Sequence, residues 1–305
     1  MYEINITAQD ANRRADKFLF MYFNNAPHSL IYKLLRKKRI KLNGKRAAGS
    51  ELLQAGDVLG LYLSGETMND LRTQRIVESS ALPEIIYEDE DYLIVNKPAG
   101  MASHGGMKGK EAHLLARVLH YLRETGAYPP DATFTPALCN RLDVNTSGLI
   151  VCGKNYQSIR TANALFAAQG SVIKEYLTIV DGELHGSATL EGHYQKDTAA
   201  NIARINNTAS EPRAITAYKS LDIKNGHTLL SVNPITGRSH QIRAHLASIG
   251  HPLSGDKKYG GKAVPGIPGQ LLHCHRLIFP DGKTWTVPPP ETFIKHLTKW
   301  KLRLP

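Results

Sequence analysis

Cysteine is scarce in this chain: three in 305 residues, Cys139, Cys152 and Cys274, with no C-x-x-C spacing among them. An odd count without a metal or redox spacing predicts free, reduced thiols and a cytoplasmic setting. Long apolar runs are missing too. No stretch approaches the roughly 18 residues of a membrane span. The opening MYEINITAQDANRRADKF has acids, amides and arginines where a secretory leader would be apolar, so neither a leader nor a membrane partner is expected. The glycine patterns G-x-x-x-x-G-K-[ST] and G-x-G-x-x-G do not occur, nor does G-x-S-x-G, which leaves nucleotide-cofactor and serine-hydrolase readings without support. Acids are absent altogether from Lys17 to Ser50.

What is present is basic charge. The net charge is +11 and the pI about 9.5. An excess of this size attracts polyanions, nucleic acid before an anionic membrane surface. Residues 1–65 hold 11 Lys/Arg against 5 Asp/Glu, so about a fifth of the chain carries over half the net charge. Within it, HSLIYKLLRKKRIKLNGKRAAGSELLQAGDVLGLYL reads as a small unit. Ser29 is a candidate N-cap. Leu30, Leu34 and Leu35 form an inward helical stripe that leaves Lys33, Arg36 and Lys37 outside, followed by Lys38 and Arg39. A tight turn at NGK and a closing strand, GDVLGLYL, complete it. With no acids interspersed, the basic face is expected to contact RNA or DNA phosphates, in a salt-sensitive way.

The polar stretch SGETMNDLRTQRIVESSAL reads as a linker, giving an N-terminal unit at 1–65, a linker at 66–82 and a larger domain at 83–305. PEIIYEDEDYLIVNKPAGM predicts a hairpin, and EAHLLARVLHYLRETG and NYQSIRTANALFAAQG predict helices ended by Gly126 and Gly170. SGLIVCGKN, VIKEYLTIVDGEL, AITAYKSLDI and HTLLSVNPITG read as strands. RSHQIRAHLASIG reads as a helix, and HRLIF with TWTV as a late hairpin. Strands outnumber helices and join through short turns, so the predicted class is α+β with a mixed, largely antiparallel sheet.

Two metal readings fail on spacing. DVNTSG begins like a calcium loop, but the twelfth position, where a bidentate Glu belongs, is Lys154. His240 and His245 are five apart rather than four, with no Glu after the first, and the HCH at 273–275 has no carboxylate partner in sequence. No metal is expected. Asp143, in NRLDVNTSGLIV, then stands out. An Asp before a polar turn ordinarily caps backbone N–H groups. Here Arg141 lies two residues earlier, on the same side of an extended chain, and TGRSHQIRAHLASIGHPLSGDKKYG supplies further cations. A carboxylate held beside a guanidinium is favoured in its ionised form and can serve as nucleophile or base.

At these residues the chain resembles the RluA/RluC/RluD family of RNA pseudouridine synthases. RLDVNTSGLIV resembles the family's catalytic motif, YEDEDYLIVNKPAGMASH its opening hairpin, KEYLTIVDGEL its tyrosine-bearing strand and TGRSHQIRAHLASIGHPLSGDKKYGG its long third motif. The four blocks run in family order over about residues 84–261, and HRLIFPDGKTWTVPPPETF resembles the C-terminal end. The basic N-terminal unit is similar to the α-L RNA-binding fold of a small-subunit ribosomal protein, closest to RluC-type enzymes of large-subunit ribosomal RNA. The resemblance implies isomerisation of uridine to pseudouridine in RNA by a cytoplasmic monomer without cofactor, with ribosomal RNA as partner; transfer RNA, or a catalytically silent RNA-binding factor, is the alternative. It implies Asp143 as the catalytic carboxylate, acting at C1′ or on the C2′ proton, and Tyr176 against the uracil ring. It also implies Arg243 as the cation paired with Asp143, Ile242 as an apolar group near the base, and Arg141 filling the gap left by a flipped nucleotide. One departure is Asn140, where the family often has His; it bears on how the motif's strand is held.

Overall fold

The computed structural model of the chain describes residues 1–8, 10–23, 26–72, 81–105, 113–129, 132–206, 208 and 210–304. Two sheets organise it. The first consists of β1 (Tyr2–Asn5), β2 (Ile40–Leu42), β3 (Lys45–Arg46) and β4 (Val58–Leu61), antiparallel in the order β1-β4-β2-β3. Asn43 and Gly44 both take positive φ, 49° and 76°, as a tight β2–β3 turn demands. Helices α1 (Ala15–Tyr22) and α2 (His28–Arg36) cover this sheet. Ile31, Leu34 and Leu35 of α2 are buried at helical spacing, while Lys33, Arg36, Lys37, Lys38 and Arg39 are all exposed.

Two local expectations are corrected. Ser29 is not the N-cap: Pro27 takes that place, its extended backbone leading into a helix that begins at His28. The stretch read as linker begins with a helix, α3 (Gly65–Arg72), whose Met68 and Leu71 are buried in the same core as Phe18, Leu35 and Leu59. Burying two such side chains stabilises by roughly 1.5–3 kcal/mol each, enough to order a polar helix against the first unit. Residues 73–80, the rest of that stretch, lie outside the described residues.

The second sheet holds β5 (Glu84–Glu88), β6 (Tyr92–Lys97), β7 (Ala137–Leu138), β8 (Ser147–Gly153), β9 (Ile173–Asp181), β10 (Ser187–Asp197), β11 (Ile202–Asn206), β12 (Arg213–Lys224), β13 (His227–Pro234), β14 (Leu272–Ile278) and β15 (Thr284–Thr286). Its order is β11-β10-β12-β13-β9-β14-β8-β6-β5, with β15 on β14 and β7 on β8. All pairs are antiparallel except β8–β14, so the sheet is mixed and largely antiparallel. Helices α4 (Leu114–Glu124) and α6 (Gln241–Ser248) share one core with Leu149, Tyr176 and Val232, while α7 (Glu291–Trp300) packs through Phe293 and Leu297 on Leu177, Ile179 and Leu229, the alternate residues. Helix α5 (Tyr156–Ala167) starts with a capping box at Asn155 and Ser158. No helix among the described residues is long and apolar enough to cross a membrane.

The two units touch through a buried ion pair. Arg13 donates to Asp10 at 2.8 Å, Thr133 donates to the other Asp10 oxygen at 2.8 Å, and the Arg13 guanidinium lies 3.9 Å from the centre of the Tyr156 ring at the start of α5. A charge pair that leaves water needs further polar and aromatic contacts of this kind to offset desolvation.

Candidate active site

Residues 139–146 form an irregular loop between β7 and β8, held from three sides. Asn140 accepts from the Val151 N–H at 2.8 Å and donates to the Leu149 carbonyl at 3.3 Å, so the departure from the family pattern pins the loop to β8 through both faces of an amide. The Ser103 hydroxyl accepts from Leu142 N–H at 3.2 Å and donates to Leu142 C=O at 2.9 Å. Lys97, fully buried at the end of β6, donates its three protons to the carbonyls of Pro98, Met101 and Val144 at 2.8, 2.8 and 3.0 Å. Burial pulls this ammonium down to about 8, opposed by the charge of Asp143. Where the loop enters β8, Gly148 (φ 116°) lies against β14 so closely that a Cβ would fall on the Cys274 carbonyl. Only glycine fits there.

This scaffold presents the Asp143 carboxylate, 27% exposed, to a cleft of about 800 Å³. Its cation comes from α6. Arg243 donates Nη1 to Oδ2 of Asp143 at 3.0 Å, and gives Nε and Nη2 to the two oxygens of buried Asp256 at 2.6 and 2.8 Å. The fork-on-fork pairing with Asp256 aims the third N–H at Asp143. Burial alone would lower the Arg243 pKa, but the hydrogen bond and charge of Asp256, then those of Asp143, leave it raised. The Tyr259 ring lies 4.7 Å from the same guanidinium. His240, the N-cap of α6, stands with Nε2 3.8 Å from Oδ2 of Asp143.

Arg141 is a correction. The expectation was that it flanks and pairs with Asp143; Arg141 is instead exposed at the mouth of the cleft beside His104. It makes no ion pair or hydrogen bond among the described residues. The carboxylate's partner lies a hundred positions downstream instead.

Tyr176 of β9 and Ile242 of α6, both buried, line the cleft with Leu272. Register explains the meeting: Tyr176 pairs with Val232 of β13 on one side and Cys274 of β14 on the other, and β13 leads directly into the segment that carries α6. Burial pushes the Tyr176 phenol well above its ordinary range, with Cys274 and Asp143 adding to it, so the ring presents a protonated phenol. Cys139, also in the wall, is pushed up to about 11 by burial and stays a thiol. Lys174, Lys196, Arg238 and Lys258 add cations around the opening.

The two histidines of the HCH stretch, His273 and His275, hold β14 to its neighbours. His273 Nδ1 pairs with the Ser147 hydroxyl at 2.9 Å, and its Nε2, with Nδ1 of His275, meets the Val287 carbonyl at 3.2 and 2.6 Å. Burial takes His273 down to about 4, so this ring is neutral. The two cysteines outside the cleft, Cys152 and Cys274, are buried, and all three are free.

Residues 91–248 match the family model described as RNA pseudouridylate synthase. The chain is 33% identical over 294 residues to the ribosomal large subunit pseudouridine synthase C of Vibrio vulnificus, covering 92% of this chain and 89% of that protein. It is 32% identical over 297 residues to the protein of the same name from Escherichia coli, covering 93% and 90%. Among solved structures, Human RNA Pseudouridylate Synthase Domain Containing 4 shares the fold with a TM-score of 0.59 at 23% identity, over 73% of this chain and 94% of that one. The matched region brings Asp143, Tyr176, Ile242 and Arg243 together in one cleft, and with relatives this similar over nearly its whole length the chain belongs to the RNA pseudouridylate synthase family.

Proposed function

We propose that the protein isomerises uridine to pseudouridine in large-subunit ribosomal RNA, with Asp143 as the reacting carboxylate. One observation carries this reading: a carboxylate tied through Oδ2 to a doubly anchored arginine, in a cleft walled by an aromatic and an aliphatic side chain. The reaction breaks the C1′–N1 bond, turns the uracil, joins C5 to C1′, releases the C5 proton to solvent and returns a proton to N1. Nothing is added or lost overall, so side chains suffice and no cofactor is called for. Asp143 acts at the ribose, as nucleophile at C1′ or as base at C2′. Arg243 holds the carboxylate in place. The Tyr176 ring stacks on the uracil, and Ile242 packs against the base from α6. All these groups come from one chain, so a monomer is sufficient.

A uridine reaches such a cleft only when turned out of its stack, at a cost of a few kcal/mol. Arg141, exposed at the cleft mouth and without an ion pair among the described residues, would fill the gap in the RNA. The α-L-like N-terminal unit offsets the rest through Lys33, Arg36, Lys37, Lys38 and Arg39, exposed together and without ion pairs among the described residues. Replacing Lys33, Arg36 and Lys37 by Ala should weaken ribosomal RNA binding by about tenfold at moderate salt and flatten the log K against log[salt] slope by about 2 units, with the fold unchanged by circular dichroism. An unaltered slope would remove this surface from the contact.

The substrate class is tested by mapping pseudouridines in ribosomal RNA from cells with and without the protein. The expected result is loss of specific pseudouridines from large-subunit RNA alone. Unchanged large-subunit RNA, with losses confined to transfer RNA, would overturn the assignment.

A further inference from the structure

His240 is a partly buried titratable group with no part in the chemistry so far. It sits in the left-handed region (φ 55°, ψ 18°), where a residue with a Cβ is strained, and nothing in its side chain caps α6. Its Nδ1 lies 3.0 Å from the Tyr259 hydroxyl, and that oxygen already accepts the Ala203 N–H at 2.7 Å. The phenol proton then has His240 Nδ1 as its acceptor among the described residues, which leaves the imidazole proton on Nε2. Burial lowers the His240 pKa, despite the opposing charge of Asp143, so the ring carries that single proton. Nε2 in turn points at Oδ2 of Asp143 from 3.8 Å, with the ring only 12% exposed.

We propose that His240 is a positioning residue for Asp143: Tyr259 fixes its tautomer, and Nε2–H closes on Oδ2 when a nucleotide fills the cleft, turning Oδ1 to the ribose. The gap to close is about 1 Å, and hydrogen bonds in unliganded sites are commonly long until substrate arrives. Arg243 and His240 would then hold one oxygen from two directions, while Tyr259 touches both, under the guanidinium and at Nδ1. The relay is anchored to the backbone of β11, whose hairpin with β10 brings Lys196 and Asn201 to the cleft. This inference rests on Asp143 being the reacting group.

The test separates the side chain from the backbone. Asn tolerates the left-handed region best among residues with a Cβ, but its amide reaches only the level of Nδ1; Gln places an N–H near Nε2. In single-turnover assays of the full-length protein on ribosomal RNA, His240→Asn is expected to lose about 30-fold in rate with RNA affinity within about twofold, and His240→Gln to return to within about threefold of wild type. Tyr259→Phe keeps the ring under Arg243 but frees the tautomer. It should slow the wild type by about fivefold and add nothing to His240→Gln. Asn equal to or faster than Gln would reduce His240 to a backbone role, and full activity in Tyr259→Phe would remove the relay even if the His240 variants fold poorly. Absence of pseudouridine with the wild type would instead overturn the functional reading itself.

Discussion

Asp143→Asn is expected to bind ribosomal RNA with wild-type affinity and to form no detectable pseudouridine, a loss of at least about 10⁴-fold in rate, as when an indispensable group is removed from other enzymes. The asymmetry follows from where each kind of energy resides. Asn has the same shape, and its carbonyl still accepts the Arg243 Nη1 proton, so the loop held by Asn140, Ser103 and Lys97 keeps its geometry. What disappears is the negative charge and basicity at the ribose. RNA affinity, by contrast, is proposed to come from phosphate contacts spread over the cations of the N-terminal unit and the cleft rim, which the substitution leaves in place. A variant that lost binding and turnover together would place Asp143 among the binding groups. Residual turnover near wild type would end its catalytic assignment.

Arg243→Lys is expected to cost about 100-fold or more in the chemical step and about 2–3 kcal/mol in stability, although charge is conserved. Three N–H groups of a planar fork divide between two carboxylates, two to Asp256 and one to Asp143. An ammonium can follow one partner only. If it stays with Asp256, Asp143 loses its orienting donor; if it turns to Asp143, the buried Asp256 is left without its bidentate partner. Either choice misplaces the carboxylate by an amount that effective-molarity arguments weigh at about 10²-fold per ångström. Single-turnover kinetics and denaturant midpoints check the two parts. A Lys variant within about threefold of wild type in rate would show that net charge, and not the fork, is what Asp143 needs.

Much of the cleft is legible in the sequence because its motifs are local. Asp143, Tyr176, Ile242 and Arg243 each sit in a short block, and the blocks lie on β9, α6 and one loop that the sheet order brings together. The groups that hold them are less visible. Lys97 reads as a strand-end lysine, and its three carbonyl acceptors include Val144, which no spacing connects to it. Asp256 and Tyr259 look like parts of a glycine-rich loop until α6 is folded against them. His240 invites a metal reading in the sequence, whereas its neighbours are a phenol and a carboxylate.

The elements without a signal in the sequence, and the one read as linker, have physical reasons as well. Strands β10 and β11 form the outer edge of the large sheet, where both faces meet solvent over much of their length, so the alternation that marks a half-buried strand is weak. Among the described side chains of helix α3, Met68 and Leu71 face the core, three residues apart in an otherwise polar stretch, and two apolar positions carry little periodicity. Alternation puts Arg141 and Asp143 on one cleft but says nothing of pairing, and the cation that bonds Asp143 is Arg243.

The most direct measurement uses ribosomal RNA labelled with tritium at uracil C5, from cells lacking the protein, incubated with purified protein. Joining C5 to C1′ must release that hydrogen to water. The account predicts tritium release with wild type, saturating at a small fixed number of sites per large-subunit RNA, and none with Asp143→Asn. No release by the wild type, or equal release by the variant, would contradict it.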